Sequence, residues 1–390
     1  MAFFTQVDQF FYLVYILFGV YVVGRLWARR SLASVTVQRF HDRRVFLDQS
    51  FEVGVSVHNQ GWLPVLWIRL TDSVPVELSV GRGFRQVVSL NPRERLRLAY
   101  TLNGRRRGYY SLGPLTIVGG DLLGSKTYEH QDTEDDFVIV YPRIIALRDL
   151  GLPSQSPFGV VPSRERIFED PTRIQGVRDY QPGDSLRRMD WKTSARVGSL
   201  QVRRFEPAIS LETAIFLNLN GDDYVQRHRD QATELGIVVA ASVAAHLTER
   251  RQAVGFFTNG ADPFSVPSSE MDLSRLASAH PPRKGREHLM TILDLLARIE
   301  RSTEDEALPF LDLLNRKSLG LSWGSTVVIV TAQEEVGLVD TLLSLRRRGL
   351  AVILVLTCPD QDYAQAAERA GQIGVLTHRI WTEQELDVWR

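Results

Sequence analysis

The residues best suited to chemistry lie in the middle of the 390-residue chain. Between 164 and 206, Arg164, Arg166, Arg173, Arg178, Arg187, Arg188, Lys192, Arg196, Arg203 and Arg204 alternate with Glu165, Glu169, Asp170, Asp179, Asp184, Asp190 and Glu206. A guanidinium is a planar fork of donors that matches a carboxylate or a phosphate. Arginines held in place by Asp184 and Asp190 would therefore form a docking surface for a partner carrying either group. The same run also describes a solvated connector of neighbouring ion pairs, each worth only about 0–1 kcal/mol. The charges alone do not choose between the two. Tyr180-Gln181-Pro182-Gly183-Asp184 is turn chemistry, with Pro fixing φ and Gly free to take positive φ, and Trp191 offers a large apolar anchor beside it.

Other chemistries are poorly represented. Lys plus Arg and Asp plus Glu both total 46, so the net charge is zero and the simplest electrostatic case for nucleic-acid binding is absent. Gly81-Arg82-Gly83 and Gly119-Gly120 sit in strand-rich sequence and open no helix, which makes them turns rather than phosphate cradles. The eight histidines contain no His-Glu-x-x-His, and there is no Gly-x-Ser-x-Gly elbow. Cys358, the single cysteine, ends an apolar run and reads as a buried structural thiol of a reducing compartment. Trp62 and Trp67 read as core or edge packing, and His41 and His58 as surface side chains. Arg346-Arg347-Arg348 suits a helix C-terminus. Arg105-Arg106-Arg107, close to an anionic leaflet, offers lipid headgroup contact. No catalytic residue and no cofactor are expected.

The elements that position these residues are read from periodicity. With 44% hydrophobic and 24% charged residues, the composition is that of a globular protein, and the length predicts two or three folded units. From Gln9 to Gly24 no residue is charged, and the run reads as an uncleaved membrane anchor over residues 1–30. Arg25, Arg29 and Arg30 behind it place everything from about residue 30 onward in the cytoplasm, on a single-pass membrane protein. From Val35 to about Pro142 the period is two: Phe51, Val53, Val55 and Val57 alternate with polar residues, predicting an all-β, Ig-like sandwich over 31–145. After a connector at 146–210, apolar strands alternate with helical segments over 211–390. Strands are expected at 214–219, 254–258, 326–331, 351–358 and 373–376, and helices near 224–250, 287–300, 335–348 and 362–370. That order predicts a doubly wound, parallel α/β unit, so the fold class is multidomain α+β.

The string Gly176-Val177-Arg178-Asp179-Tyr180-Gln181-Pro182-Gly183-Asp184 through Arg187-Arg188-Met189-Asp190-Trp191-Lys192-Thr193-Ser194-Ala195-Arg196, continuing to Glu206, resembles the signature of the bacterial domain-of-unknown-function family numbered 58 (DUF58). Arg106-Arg107-Gly108-Tyr109-Tyr110, Asp121 to Gly124 and Val140-Tyr141-Pro142 resemble the β-segment that precedes it in that family. The resemblance implies a membrane-anchored protein with a β-domain, the signature, and a von Willebrand factor A-like α/β domain, often encoded beside a MoxR-type AAA+ ATPase, and it implies no established catalytic activity. Such α/β domains commonly hold a divalent metal on Asp-x-Ser-x-Ser and on Thr and Asp of later loops. Here Asn218-Leu219-Asn220-Gly221-Asp222 takes the first position and Thr331-Ala332-Gln333 the later one. Amides in place of carboxylates remove the charge that offsets dehydration of a hard cation. No tightly bound metal is expected, with Asn218, Asn220, Asp222, Asp223 and Thr331 as the degenerate set.

The expected function is that of a non-enzymatic adaptor whose signature residues Arg178, Asp179, Tyr180, Gly183, Asp184, Arg187, Arg188, Asp190, Trp191, Lys192 and Arg196 contact a protein partner, with the bilayer as second partner and nucleic acid as none. The alternatives are a divalent-metal-dependent module or enzyme on the α/β domain, and an extracellular sugar- or wall-binding sandwich.

Overall fold

A computed structural model describes residues 2–79, 81, 83–121, 127–132, 136–147, 169–181, 189–207, 212–264, 278–302, 308–332, 337–357 and 363–389. The chain divides into two compact units, one built on Met1–Arg143 and one on Ile144–Arg390, with Leu296–Arg298 grouped with the first.

The first unit opens with helix α1 (Ala2–Leu32), of which Phe10–Leu32, 23 residues, is long and apolar enough to cross a membrane. Its apolar side chains from Phe10 to Phe18 are exposed, so no protein core claims them. The helix runs past the expected boundary at residue 30. Ala28 and Ser31 are buried, Trp27 Nε1 donates to Pro64 O at 3.1 Å, and Leu32 abuts Gly119.

Ten strands follow: β1 (Val35–Phe40), β2 (Arg44–Phe46), β3 (Ser50–Asn59), β4 (Val65–Asp72), β5 (Arg85–Leu90), β6 (Arg95–Asn103), β7 (Gly108–Leu112), β8 (Leu115–Gly120), β9 (Thr127–Asp132) and β10 (Asp136–Tyr141). They form sheets in the orders β1-β3-β6, β2-β10-β7 and β5-β4-β8-β9. Phe51, Val53, Val55 and Val57 on β3 are all buried, as the period of two predicts, whereas Glu52 is exposed. Arg39 is buried among these strands; its guanidinium reaches Asp72 at 2.7 Å and Asp136 at 2.9 Å, and Tyr100 Oη donates to Asp72 Oδ2 at 2.5 Å. Three of the smaller expectations are corrected here or refined. Trp62 lies in the turn after β3 and is 72% exposed, so it is not packed, whereas Trp67 is half-buried and donates to Asp121 O at 3.3 Å. His41 and His58 are half-buried rather than on the surface; the Nε2 of His41 lies 3.8 Å from Asp136.

The second unit begins with β11 (Glu169–Asp179), α2 (Trp191–Val197) and β12 (Gln201–Pro207), where β11 and β12 pair antiparallel. Next come β13 (Glu212–Leu217), α3 (Arg229–Glu249), β14 (Ala253–Thr258), β15 (Ser278–Arg283), α4 (Arg286–Arg298) and α5 (Phe310–Ser318). β16 (Thr326–Thr331), α6 (Leu338–Arg347), β17 (Ala351–Leu356), α7 (Tyr363–Gln372) and β18 (Leu376–Arg379) complete the alternation. The sheet order is β15-β14-β13-β16-β17-β18, with β13, β14, β16, β17 and β18 mutually parallel. The expectation of a wholly parallel sheet is corrected at one edge, because β15 pairs antiparallel with β14. Pro282 packs so closely on Gly255 that a Cβ there would lie 2.9 Å from its ring.

Helices cover both faces of this sheet. Ala214, Phe216, Val327 and Ile329 share one core with α5, α6 and α7. Gly236 of α3 lies against Leu217 and Val330, whose side chains leave the strands on the opposite face. α3 is buried along most of its length, in keeping with its apolar sequence. It starts at Arg229 rather than near Tyr224, because residues Gly221–Asp223 form a 3-10 turn and Tyr224 Oη is held by Asn218 O at 2.6 Å. β18 starts three residues later than expected. The turn after α7 needs Gly374 at φ 73°, and only then does the chain extend. Cys358 lies outside the described residues.

Candidate functional site

Two places gather polar groups in the second unit. The first is the signature segment. Met189 and Val202 form a β-bridge and are both buried, so the chain is brought back beside β12 just before α2. Asp190 is the N-cap of that helix: its Oδ1 accepts from Thr193 N at 3.0 Å, and its backbone O accepts from Ser194 Oγ at 2.7 Å. The hydrogen bond from the Thr193 backbone N–H holds the Asp190 carboxyl below the usual carboxylate range, with the Arg203 charge adding to it. Arg203 Nε lies 3.4 Å from Asp190 Oδ2. At the far end, Gly198 takes φ 79° to cap the helix in the left-handed conformation. Ser194 Oγ then accepts from Gln201 N at 2.8 Å, and Gln201 Nε2 donates to Asp179 Oδ1 at 2.5 Å. Tyr180 N donates to Leu200 O at 2.9 Å.

The structure therefore brings together Asp179, Tyr180 and Asp190 as fasteners of the strand–helix–strand unit, with Arg178, Trp191, Lys192 and Arg196 on its exposed surface. Gly183, Asp184, Arg187 and Arg188 lie outside the described residues. Trp191, the large apolar side chain beside the turn, is 65% exposed. The cause is local, since α2 is only seven residues long and buries Ser194 alone. Val177, Val197 and Leu200 are exposed as well. Ser194 and Gln201, which carry the fastening, were not singled out in the sequence; their spacing of seven gives no helical or strand signal.

The second place is the crevice at the carboxyl ends of β13, β14 and β16, beside the point where the sheet order reverses, where α/β folds bind ligands. Asn218 follows β13 and is fully buried; Thr331 ends β16 and Asn259 follows β14, both nearly so. Backbone donors fix which way each amide points. Asn218 Oδ1 accepts from Asn220 N at 3.0 Å, Asn220 Oδ1 from Asp222 N at 3.3 Å, and Asn259 Oδ1 from Leu219 N at 2.7 Å. Each Nδ2 is thereby committed. Asn218 Nδ2 donates to Asp223 Oδ2 at 2.8 Å and Thr331 Oγ1 at 3.2 Å, Asn220 Nδ2 to Asp223 Oδ1 at 3.1 Å, and Asn259 Nδ2 to Asn218 Oδ1 at 3.0 Å.

Asn218, Asn220, Asp223 and Thr331 are thus one network, whereas Asp222 stands exposed at its rim, 3.6 Å from Arg229 Nη2. Both oxygens of Asp223 already have amide partners, and each amide presents a donor where a cation would need an oxygen lone pair. Among the described residues, no three His, Cys, Asp or Glu side chains gather as a metal set. Asn259 was missed in the sequence. The apolar run 253–257 ending in Thr258-Asn259-Gly260 was the available signal, because in a parallel sheet such a strand end faces the same crevice.

Comparison with known proteins places these features. The profile described as "Protein of unknown function DUF58" matches residues 176–386, more than half of the chain, from the end of β11 to beyond β18. The "Uncharacterized protein YeaD" of Bacillus subtilis (strain 168) is 24% identical over 285 residues, covering 70% of this chain and 69% of that protein. Among solved structures, a CARDB domain from Pyrococcus furiosus aligns at 20% identity over 27% of this chain and 91% of its own, with a TM-score of 0.21. Part of the α-2-macroglobulin of Escherichia coli aligns at 17% identity over 29% of this chain and 17% of its own, with a TM-score of 0.25. Scores this low carry no argument about either unit. The chain belongs to the DUF58 family.

Proposed function

We propose that this DUF58 chain is a membrane-anchored, non-enzymatic adaptor that presents the β11–α2–β12 face to a cytoplasmic protein. In this reading α1 crosses the bilayer, Arg25, Arg29 and Arg30 keep the folded units on the cytoplasmic side, the first unit is an Ig-like sandwich, and the second is a von Willebrand factor A-like domain whose metal position is filled by asparagines. The partner to test is a MoxR-type AAA+ ATPase, with the pair acting in assembly or maturation of protein complexes.

The observation that carries the reading is Trp191. An indole 65% exposed, on a helix capped at both ends that also exposes Lys192 and Arg196, is of the type that dominates interfaces. The closed amide network of the crevice supports contact over turnover, because it leaves no nucleophile beside a base.

The test is capture of the ATPase by the full chain in lipid nanodiscs. Trp191→Ala is expected to weaken binding by about 2 kcal/mol, roughly thirty-fold, and Lys192→Glu with Arg196→Glu to weaken it further at low salt than at high salt. Equal capture by all three proteins removes this face from the function; no capture by any of them removes this partner.

A further inference from the structure

We propose that the loop between β3 and β4 sets the indole of Trp62 into the lipid headgroup layer, a second bilayer contact for the first unit; the proposal rests on α1 crossing the bilayer. The loop reads Gly61-Trp62-Leu63-Pro64, an apolar sequence where a connection between strands is ordinarily polar. Trp62 is exposed, whereas Leu63 and Pro64 are half-buried. The loop is held by Asn59, which is fully buried. Its Nδ2 donates to Leu63 O at 2.8 Å and to Asn91 O at 3.0 Å, and its Oδ1 accepts from Gly61 N at 3.0 Å and Ser34 Oγ at 3.1 Å. Gln60 N adds a bond to Ser34 O at 2.9 Å.

The depth of the loop is set by α1. Gly61 packs on Ser34, just past the end of the helix, whereas Pro64 O accepts from Trp27 Nε1 at 3.1 Å. From 61 to 64 the chain therefore runs back along the helix toward the bilayer. The uncharged run ends at Gly24, and three residues at about 1.5 Å each put Trp27 about 4–5 Å beyond it. That is inside a headgroup layer about 5–8 Å thick on each side of the hydrocarbon. A helical side chain leans toward the N-terminus, here the bilayer, so the indole that meets Pro64 is no farther out than its own backbone. Arg25, one residue past Gly24, interacts with Tyr128 of β9, so a second strand meets the helix at the same level. Trp62 is two residues from Pro64, at most about 7 Å of chain, which keeps its ring within reach of the headgroups. At that level α1 is ringed by lipid, and an indole, with its apolar body and single N–H donor, is the side chain suited to such a layer.

The test uses the full chain reconstituted in phosphatidylcholine–phosphatidylglycerol vesicles that carry a nitroxide either on the choline headgroup or deep on an acyl chain. The chain has seven tryptophans, and the emission of the wild type minus that of Trp62→Phe isolates the share of Trp62. The substitution is at an exposed position and leaves the core intact. The headgroup nitroxide is expected to remove most of that share, and the acyl-chain nitroxide much less of it. A share that neither nitroxide lowers, in a protein that alkaline carbonate fails to extract from the vesicles, overturns the loop contact while α1 still anchors. Extraction of the wild type by alkaline carbonate overturns the anchor, and the loop contact with it.

Discussion

The Nδ2 of Asn218 lies 2.8 Å from Oδ2 of Asp223, and the backbone N–H of Asn220 on the other side of the amide leaves no alternative orientation. A carboxylate that would otherwise need a counter-charge is instead held by neutral donors, at a place where a hard cation would need oxygens.

Asn218→Asp replaces that donor by a second carboxylate. We expect destabilisation of about 2 kcal/mol or more in chelator-treated buffer, from the lost donor and the like charges. Magnesium should restore part of this in the variant, and calorimetric titration of magnesium or manganese into the wild type should give no saturable heat. Saturable heat in the wild type would sink the adaptor reading of the crevice and favour a cation-dependent module.

Asp190 gives a pH signature. Its folded-state pKa is depressed, so its contribution is present above the unfolded value and is lost as pH falls through the folded one. Hydrogen exchange of the Thr193 amide should therefore show protection near neutrality that disappears below the ordinary carboxylate range, near pH 4. In Asp190→Asn, which still caps, protection should be flat across that range; in Asp190→Ala it should be absent throughout.

Within the first unit, Arg39→Met leaves Asp72 buried without its cation, and about 3–5 kcal/mol should be lost. Tyr100 works in the opposite pH direction. Burial, then the Asp72 charge, raises its phenol pKa well above the usual value. The stability it supports is complete below the unfolded pKa near 10 and is lost as pH rises beyond it. Stability against unfolding, measured between pH 9 and 11.5, should fall more steeply for the wild type than for Tyr100→Phe.

Gly119→Val tests the seat of the helix. A Cβ at Gly119 would lie 2.5 Å from Leu32 Cδ2 and 3.1 Å from Ile68 Cγ2, so the helix end or β4 must move, at a cost of about 1–3 kcal/mol. Limited trypsin digestion should cut after Arg29 and Arg30 faster in the variant; an unchanged rate would mean that the helix end does not rest on β8.

Much of this architecture is visible in the residues before any coordinates. Thr326–Thr331 is strand throughout, as its unbroken β-branched run predicts, and β3 buries each apolar alternate. What escaped did so for physical reasons. β15 carries Pro281 and Pro282, which argue against a strand until it is known to be an edge. β11 and β12 are hidden in the sequence by their run of charges, which breaks the apolar alternation that marks a strand. α5 shows Phe310, Leu313 and Leu314 at helical spacing, but nine residues are too few to stand out. In the crevice, Asn218 and Thr331 follow from strand ends. The partnership of Asn259 requires the strand order, which no local pattern encodes.

The prolines of β15 have a lasting effect on what the sheet can become. Neither proline carries an N–H, and Gly255 lets Pro282 settle tightly on β14. An edge strand carrying two prolines is a poor template for a further strand, which disfavours edge-to-edge growth of the six-stranded sheet at β15.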